Sequence, residues 1–509
     1  MNPTNFADKG RQGAGVRAPG DRPSRREVLS PAAIVAALWA GTSDASAVPG
    51  PTDPLRWLVH HVTQGLTESE FNTARSRGYL GYLEYQLNHT TIDDSALDAR
   101  VDSTTYPTLF MTPDQLALPS VQARQVVDEL METTILRSVL SKRQLYQRMV
   151  EFWTDHFNIF IDNGIGNKLK TVDDREVIRA NALGTFPAML TASAQSPAML
   201  VYLDNFGNTV RRPNENYARE LLELHTLGVD GGYTQQDVVD VARCFTGWTF
   251  YPANAGTNAW RFRFLPENHD NGQKTVLGHV IAPGGGITDG FDVISILSNH
   301  PSTARLLAEK MCKWLLGYRP SPALVDAVAS TYLNPPPPAS RGDIKSMIRA
   351  ILLSREASDG TARKYKRPYH HMMAALRATG ASITSTTAIR TPHLLAAGQV
   401  PYSWSAPDGY PDTLDYWVGL ILPRWNFGAA LLHNKIGGAT VDIDAFLAGA
   451  DTAGAVMDRI ETAIFGGIGG MNPRERSLIA NYLLPDPPTT GRKRDAVGLA
   501  IGSPSFQWY

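Results

Sequence analysis

With 509 residues, 43% of them hydrophobic, the chain has an ordinary globular composition and the length for a large core and two or more packed subdomains. Its 48 basic and 49 acidic side chains leave a net charge of −1, which gives a polyanion partner such as nucleic acid no electrostatic support. Two cysteines exclude a zinc site built on thiolates.

Residues 1–23 are rich in Gly, Arg, Pro and Asp without apolar periodicity, so disorder is expected there. Ser24-Arg25-Arg26-Glu27-Val28-Leu29, the apolar run 31–40 and Ala45-Ser46-Ala47 follow in the order of a twin-arginine export signal cut after Ala47. The chain is therefore expected in the periplasm or outside the cell. Such export carries folded proteins, often loaded with a cofactor or metal, which leaves a divalent ion open without naming one. The apolar run is too short for a permanent span, and no other stretch approaches 18 apolar residues, so no membrane span is expected.

After a linker at 48–53, Asp53 and Pro54 open a capped helix to about residue 61, and Thr67 opens another toward Leu87. Residues 88–116 read as connection, and 120–161 as helical nearly throughout. In Phe152-Trp153-Thr154-Asp155-His156-Phe157 the histidine sits among aromatics, the setting of a core histidine more often than of a ligand. Asp155 and His156 are neighbours on a helix and point apart. A loop at 163–167 and helices over 174–183 and 185–194 follow.

The densest stretch is 214–228, Asn214-Glu215-Asn216-Tyr217-Ala218-Arg219-Glu220-Leu221-Leu222-Glu223-Leu224-His225-Thr226-Leu227-Gly228. At about 100° per residue, Glu215, Asn216, Arg219, Glu220 and Glu223 fall in an arc of roughly 140°, with apolar residues on the rest of the wheel. Asn214 is placed to cap the helix start and Gly228 its end. The ionic face has two readings. It is a solvated surface laced by pairs four residues apart, or it lines a cleft where carboxylates serve as acid and base or hold a divalent cation.

Thr234 and Asp237 stand at capping-box spacing before a helix that ends at Thr246-Gly247-Trp248. Residues 249–290 are the best candidate for a small β or extended insertion, since 249–251 and 260–264 alternate and 274–281 is β-like. It contains the turn His269-Asp270-Asn271-Gly272. Helices are expected at about 291–297, 303–316, 322–332, 343–354 and 368–377, then a Pro/Gly/aromatic loop at 398–411. Cys244 and Cys312 fall in apolar helical patterns, and pairing or two buried thiols are both open. The reading is a mainly α, multi-helical protein with a main domain over 54–435 and a C-terminal helical segment over 436–509 packed on it. No G-x-G-x-x-G, G-x-x-x-x-G-K-[ST], G-x-S-x-G or H-E-x-x-H occurs.

Several of these motifs stand in one order: Trp153 with His156-Phe157, Pro197-Ala198-Met199-Leu200 with Tyr202-Leu203-Asp204-Asn205, the 214–224 block, Gly232-Tyr233-Thr234, Ala242-Arg243 with Thr246-Gly247-Trp248, and His269-Asp270 with Gly272 and Lys274. His300-Pro301-Ser302-Thr303-Ala304, Asp408-Gly409-Tyr410-Pro411 and Ser503-Pro504-Ser505-Phe506-Gln507 continue the series. The series resembles the large bacterial family catalogued as domain of unknown function 1800, over about residues 55–509. The resemblance implies an exported, mostly helical protein and leaves open an exported protein partner. It implies no reaction.

The functional expectation is a hydrolase acting outside the cytoplasm on a polymeric or saccharide substrate. Its catalytic candidates are Glu215, Arg219, Glu220 and Glu223 on the central helix, Asp204 before it, and His156. Asn205, Asn216, Tyr217, Arg243, Trp248, His269 and Asp270 are the candidates for substrate contact. A carboxylate pair would suffice for glycoside cleavage, and a mix of Asp, Glu and His would suit a divalent ion. The alternative is an exported scaffold or assembly factor whose ionic helix is a structural salt-bridge network. A redox role has little support, with two cysteines and no C-x-x-C-H.

Overall fold

The computed structural model describes residues 30–39, 53–360 and 362–509. The expected disordered leader, the twin arginines, the Ala45-Ser46-Ala47 site and linker residues 48–52 lie outside the described residues. Of the expected signal, the apolar run is described as the helix Pro31–Trp39, which buries Ile34 and Leu38 against the C-terminal helices.

The chain is mainly α-helical, as its periodicity predicts. Caps delimit many helices where the sequence places them. Asp53 accepts the Leu55 N–H at 2.9 Å, Thr67 that of Glu70 at 3.1 Å, and Thr234 and Asp237 complete both halves of a capping box. Each is worth about 1 kcal/mol. Among the described residues no helix is long and apolar enough to cross a membrane.

One local prediction differs, and one is made more definite. The stretch 120–161 is broken between Ala123–Leu140 and Gln144–His156 because Asp94, from the 88–116 connection, draws the chain out of helix. Its carboxylate accepts Ser141 Oγ at 2.6 Å and the Lys142 N–H at 2.8 Å. The segment 274–281 is a hairpin of Lys274–Val276 with His279–Ile281, because Leu277 and Gly278 both take positive φ and turn the chain in two residues. Trp248–Phe250 pairs antiparallel with Phe262–Phe264, and a further two-residue pair joins Ser382–Ile383 to Ala439–Thr440.

The core has three parts. A large cluster around Trp57, Trp153, Trp248 and Trp314 draws on residues 57–357. A second joins the helices Ala123–Leu140 and Pro368–Ala378 to the C-terminal helices. A small aromatic cluster of Tyr365, Tyr410 and Trp417 forms the third. Cys244 and Cys312 are free thiols, buried in the first cluster.

Candidate active site

Helix Gln144–His156 turns Leu145, Met149, Phe152 and Trp153 into the first core and presents Glu151, Asp155 and His156 near its end. Beyond it, Asn158 donates to the carbonyls of Trp404 and Ala406 at 2.9 and 2.6 Å, which fixes the 398–411 loop over the helix terminus. The loop approaches so closely that a Cβ on Gly409 would lie 2.2 Å from the Asp155 carbonyl oxygen, and Gly409 has φ +74°. Gly409→Ala is therefore expected to destabilise the protein by about 1–3 kcal/mol from backbone conformation alone, with the clash adding to it. A urea midpoint unchanged by this substitution would mean the loop is not seated in this way.

Where the first and third clusters meet, a cavity of about 780 Å³, counting its open mouth, gathers side chains from distant segments. Asp155 and His156 enter it from one helix, Lys310 and Trp314 from Pro301–Leu315, Arg367 from the residue before Pro368–Ala378, and Asp408 and Asp412 from the loop. His156 Nε2 lies 3.1 Å from the carbonyl of His225, which only accepts, so that nitrogen carries the proton. The Nδ1 lone pair then receives Lys310 Nζ at 3.2 Å.

Burial, then the Lys310 and His225 charges, hold His156 well below the ordinary imidazole range. Burial also pulls Lys310 down to about 8, against the opposing pull of Asp155, Asp408 and Asp412. Asp155 is pushed up to about 6 by burial, despite Arg367 at 2.6 Å, with Glu151 adding to the rise. Arg367 bridges Asp155 and Glu151, each at 2.6 Å, with its guanidinium 4.6 Å from the centre of the Trp314 ring. Lys364 holds Asp412 Oδ2 at 2.6 Å, while Asp412 Oδ1 is buried without a partner among the described residues.

A second, largely apolar cavity of about 490 Å³ shares Asp155, Arg367 and Tyr410 with the first and runs back to Gln147 and Arg179. Among the described residues, no three His, Cys, Asp or Glu side chains are grouped to hold a metal ion.

A family model described as "Protein of unknown function (DUF1800)" matches residues 57–508. The chain belongs to DUF1800. No curated protein and no solved structure matches it.

In this DUF1800 chain the central helix runs beside the cavity. Its first part, Asn216–Glu220, is α-helical, and Leu221–Thr226 is a π turn, the kind of irregularity often found at functional sites. Thr226 Oγ1 donates to the Leu221 carbonyl at 2.6 Å, and Leu227 N–H reaches back to Leu222 at 2.9 Å. The Asn214 side chain accepts the Asn216 N–H at 2.9 Å, and Gly228, at φ +86°, ends the element as expected.

Of the sequence candidates, His156 lines the cavity; His225, which is not among them, packs beside it, both its ring nitrogens lacking a partner among the described residues. Glu220 is half-buried, its carboxyl raised first by burial, then by Glu223, with Asp408 adding across the loop. Glu215 and Glu223 flank Arg219 at 3.2 and 3.6 Å, and Gln235 joins the same network.

Asp204 sits exposed in the left-handed region at φ 60°, with Asn216 at 3.4 Å. Asn205, Tyr217 and Trp248 are buried, Asn205 donating to the carbonyls of Phe245 and Trp248. His269 is buried against Asp289 and Lys274, and Arg243 pairs with Asp240 and Asp270.

Sequence reasoning missed Lys310, Arg367, Asp412 and Lys364, and kept Asp155 apart from His156. Lys310 carried a readable signal. Thr303, Leu307 and Trp314, seven and three positions before it and four after, are all buried, so the lysine sits on the apolar stripe of its helix. Arg367 belongs to Lys364-Tyr365-Lys366-Arg367, four consecutive buried residues in which a run of charges would ordinarily mean a surface.

Proposed function

We propose that this DUF1800 protein is a hydrolase acting outside the cytoplasm, and that its chemistry belongs to the Asp155, His156 and Lys310 cavity. The observation that carries the reading is one open cavity holding a carboxyl at about 6 and an ammonium at about 8, both matched to proton transfer near neutral pH. In this reading Asp155 takes a proton from the attacking water, with Arg367 positioning its carboxylate. Lys310, oriented by neutral His156, donates a proton to the leaving group. Half-buried Trp404 and exposed Tyr416 stand beside Asp408 and Tyr410 at the loop, and such rings suit a saccharide or other polymeric substrate.

The test is turnover of chromogenic glycosides, esters and peptides by the wild-type chain, Lys310→Met and Asp155→Asn. Each substitution is expected to lower turnover by roughly 10²–10⁴-fold. Wild-type activity is expected to rise through about pH 6 as Asp155 ionises and to fall through about pH 8 as Lys310 loses its proton. Undiminished turnover in both variants would reject these roles.

A second reading, the exported scaffold or assembly factor, is favoured by the Glu215, Arg219, Glu223 and Gln235 network, where the helix satisfies its own charges at the surface. Absence of turnover on all three substrate classes would move the balance to it.

A further inference from the structure

A third cavity opens behind helix Gln144–His156, walled by the end of Ala123–Leu140, the π turn Asp174–Arg179 and residues 94–110. Its volume is about 1020 Å³ counting its mouth, and its walls are mainly polar. Three arginines, Arg137, Arg143 and Arg179, and three aspartates, Asp94, Asp98 and Asp102, line it.

Two of the arginines are engaged. Arg143 donates to the Ile92 carbonyl at 3.3 and 3.1 Å and lies 3.7 Å from Asp98. Arg179 holds Asp174 at 2.6 Å and Gln147 at 3.1 Å. The Arg137 guanidinium has no hydrogen bond and no ion pair among the described residues.

The acids nearby make no direct hydrogen bond or ion pair with it. Both Asp174 oxygens are taken, one by Arg179 and the other by Tyr402 at 3.0 Å. Asp94 is committed to Ser141 and Lys142, and Asp102 to the N–H groups of Thr104 and Thr105. Burial and then the neighbouring Arg179 charge pull Arg137 down to about 10, against the opposing pull of Asp174, which leaves it cationic at neutral pH. A half-buried guanidinium with no direct partner, open to the cavity beside a second arginine, is placed to take an oxyanion ligand.

We propose that this cavity binds a small organic oxyanion, a carboxylate or phosphate ester on a hydroxyl-rich body, with Arg137 as its principal ligand and Arg179 beside it. The planar guanidinium fork matches both oxyanions, and the polar walls and cavity size suit a sugar acid or sugar phosphate better than a bare ion. The inference is independent of the hydrolase reading, because this cavity and the Lys310 site share no lining residue.

The experiment is calorimetric titration of the full chain with glucuronate, with glucose 6-phosphate and with glucose. One or both anions are expected to bind and glucose is not, and the anion preferred identifies the oxyanion. Arg137→Gln is expected to weaken binding at least tenfold, Arg137→Lys to weaken it less, and Lys310→Met to leave it unchanged. Because Arg137 is unpaired, Arg137→Gln is also expected to melt at or above the wild-type temperature. Failure of both anions to bind, equal binding by Arg137→Gln, or a lower melting temperature for that variant would overturn the proposal.

Discussion

Arg367→Met is expected to cost about 3–5 kcal/mol of stability at neutral pH, the range for removing one partner of a buried ion pair. The side chain is 3% exposed and holds two carboxylates four residues apart, at 2.6 Å each. Without it, Glu151 and Asp155 face each other across one helical turn with no compensating cation between them. Arg148 lies 3.8 Å from Glu151, so that carboxylate keeps a partial partner and Asp155 bears most of the loss. In the variant Asp155 should hold its proton more tightly folded than unfolded. Its deficit should therefore shrink as pH falls toward 5, the sign expected when the folded state binds the extra proton. Arg367→Lys should lie between the two, since one ammonium cannot reproduce a fork that bridges two carboxylates. Urea midpoints at pH 7 and pH 5 measure this. A deficit below about 1 kcal/mol at pH 7 would show that the pair is not buried as described.

Trp153→Ala is expected to cost about 3–5 kcal/mol through the cavity it opens. The indole is completely buried, with its ring against Phe152, His156, Phe157 and Phe186 at centroid distances of 4.8 to 6.2 Å. Its N–H donates to the Ala182 carbonyl at 3.1 Å, so truncation also leaves an acceptor unpaired. The same ring stands edge-on to His156 at 5.4 Å, and the substitution should loosen the imidazole that orients Lys310. Trp153→Phe, which keeps most of the volume and loses the N–H with a small part of the ring, should be considerably milder. Equal losses for Ala and Phe would mean that the hydrogen bond, and not the packing, carries the stability.

Much of the fold was readable because helices announce themselves locally. Asp53, Thr67 and Thr234 cap the helices whose starts they mark, and Gly228 takes the positive φ its position after the apolar pattern demands. Where reading failed, a distant group had intervened. Asp94 breaks the helix at Ser141 from 47 residues away, and no pattern within 120–161 encodes that. The π turn at Leu221–Thr226 was equally hidden, since nothing in the periodicity separates it from ordinary helix.

The sequence by itself determined a mainly helical protein of one family, the positions of its caps, and which stretch carries the most charge. Those properties depend on neighbours within a few residues. Only the tertiary structure decided which charges are kept from water. The central helix spends Glu215 and Glu223 on its own Arg219 near the surface, while Lys310, Arg367 and Asp412 are brought from segments far apart to meet Asp155 and His156. A perturbed acid or base requires burial together with partners from elsewhere in the chain, and burial is fixed by packing.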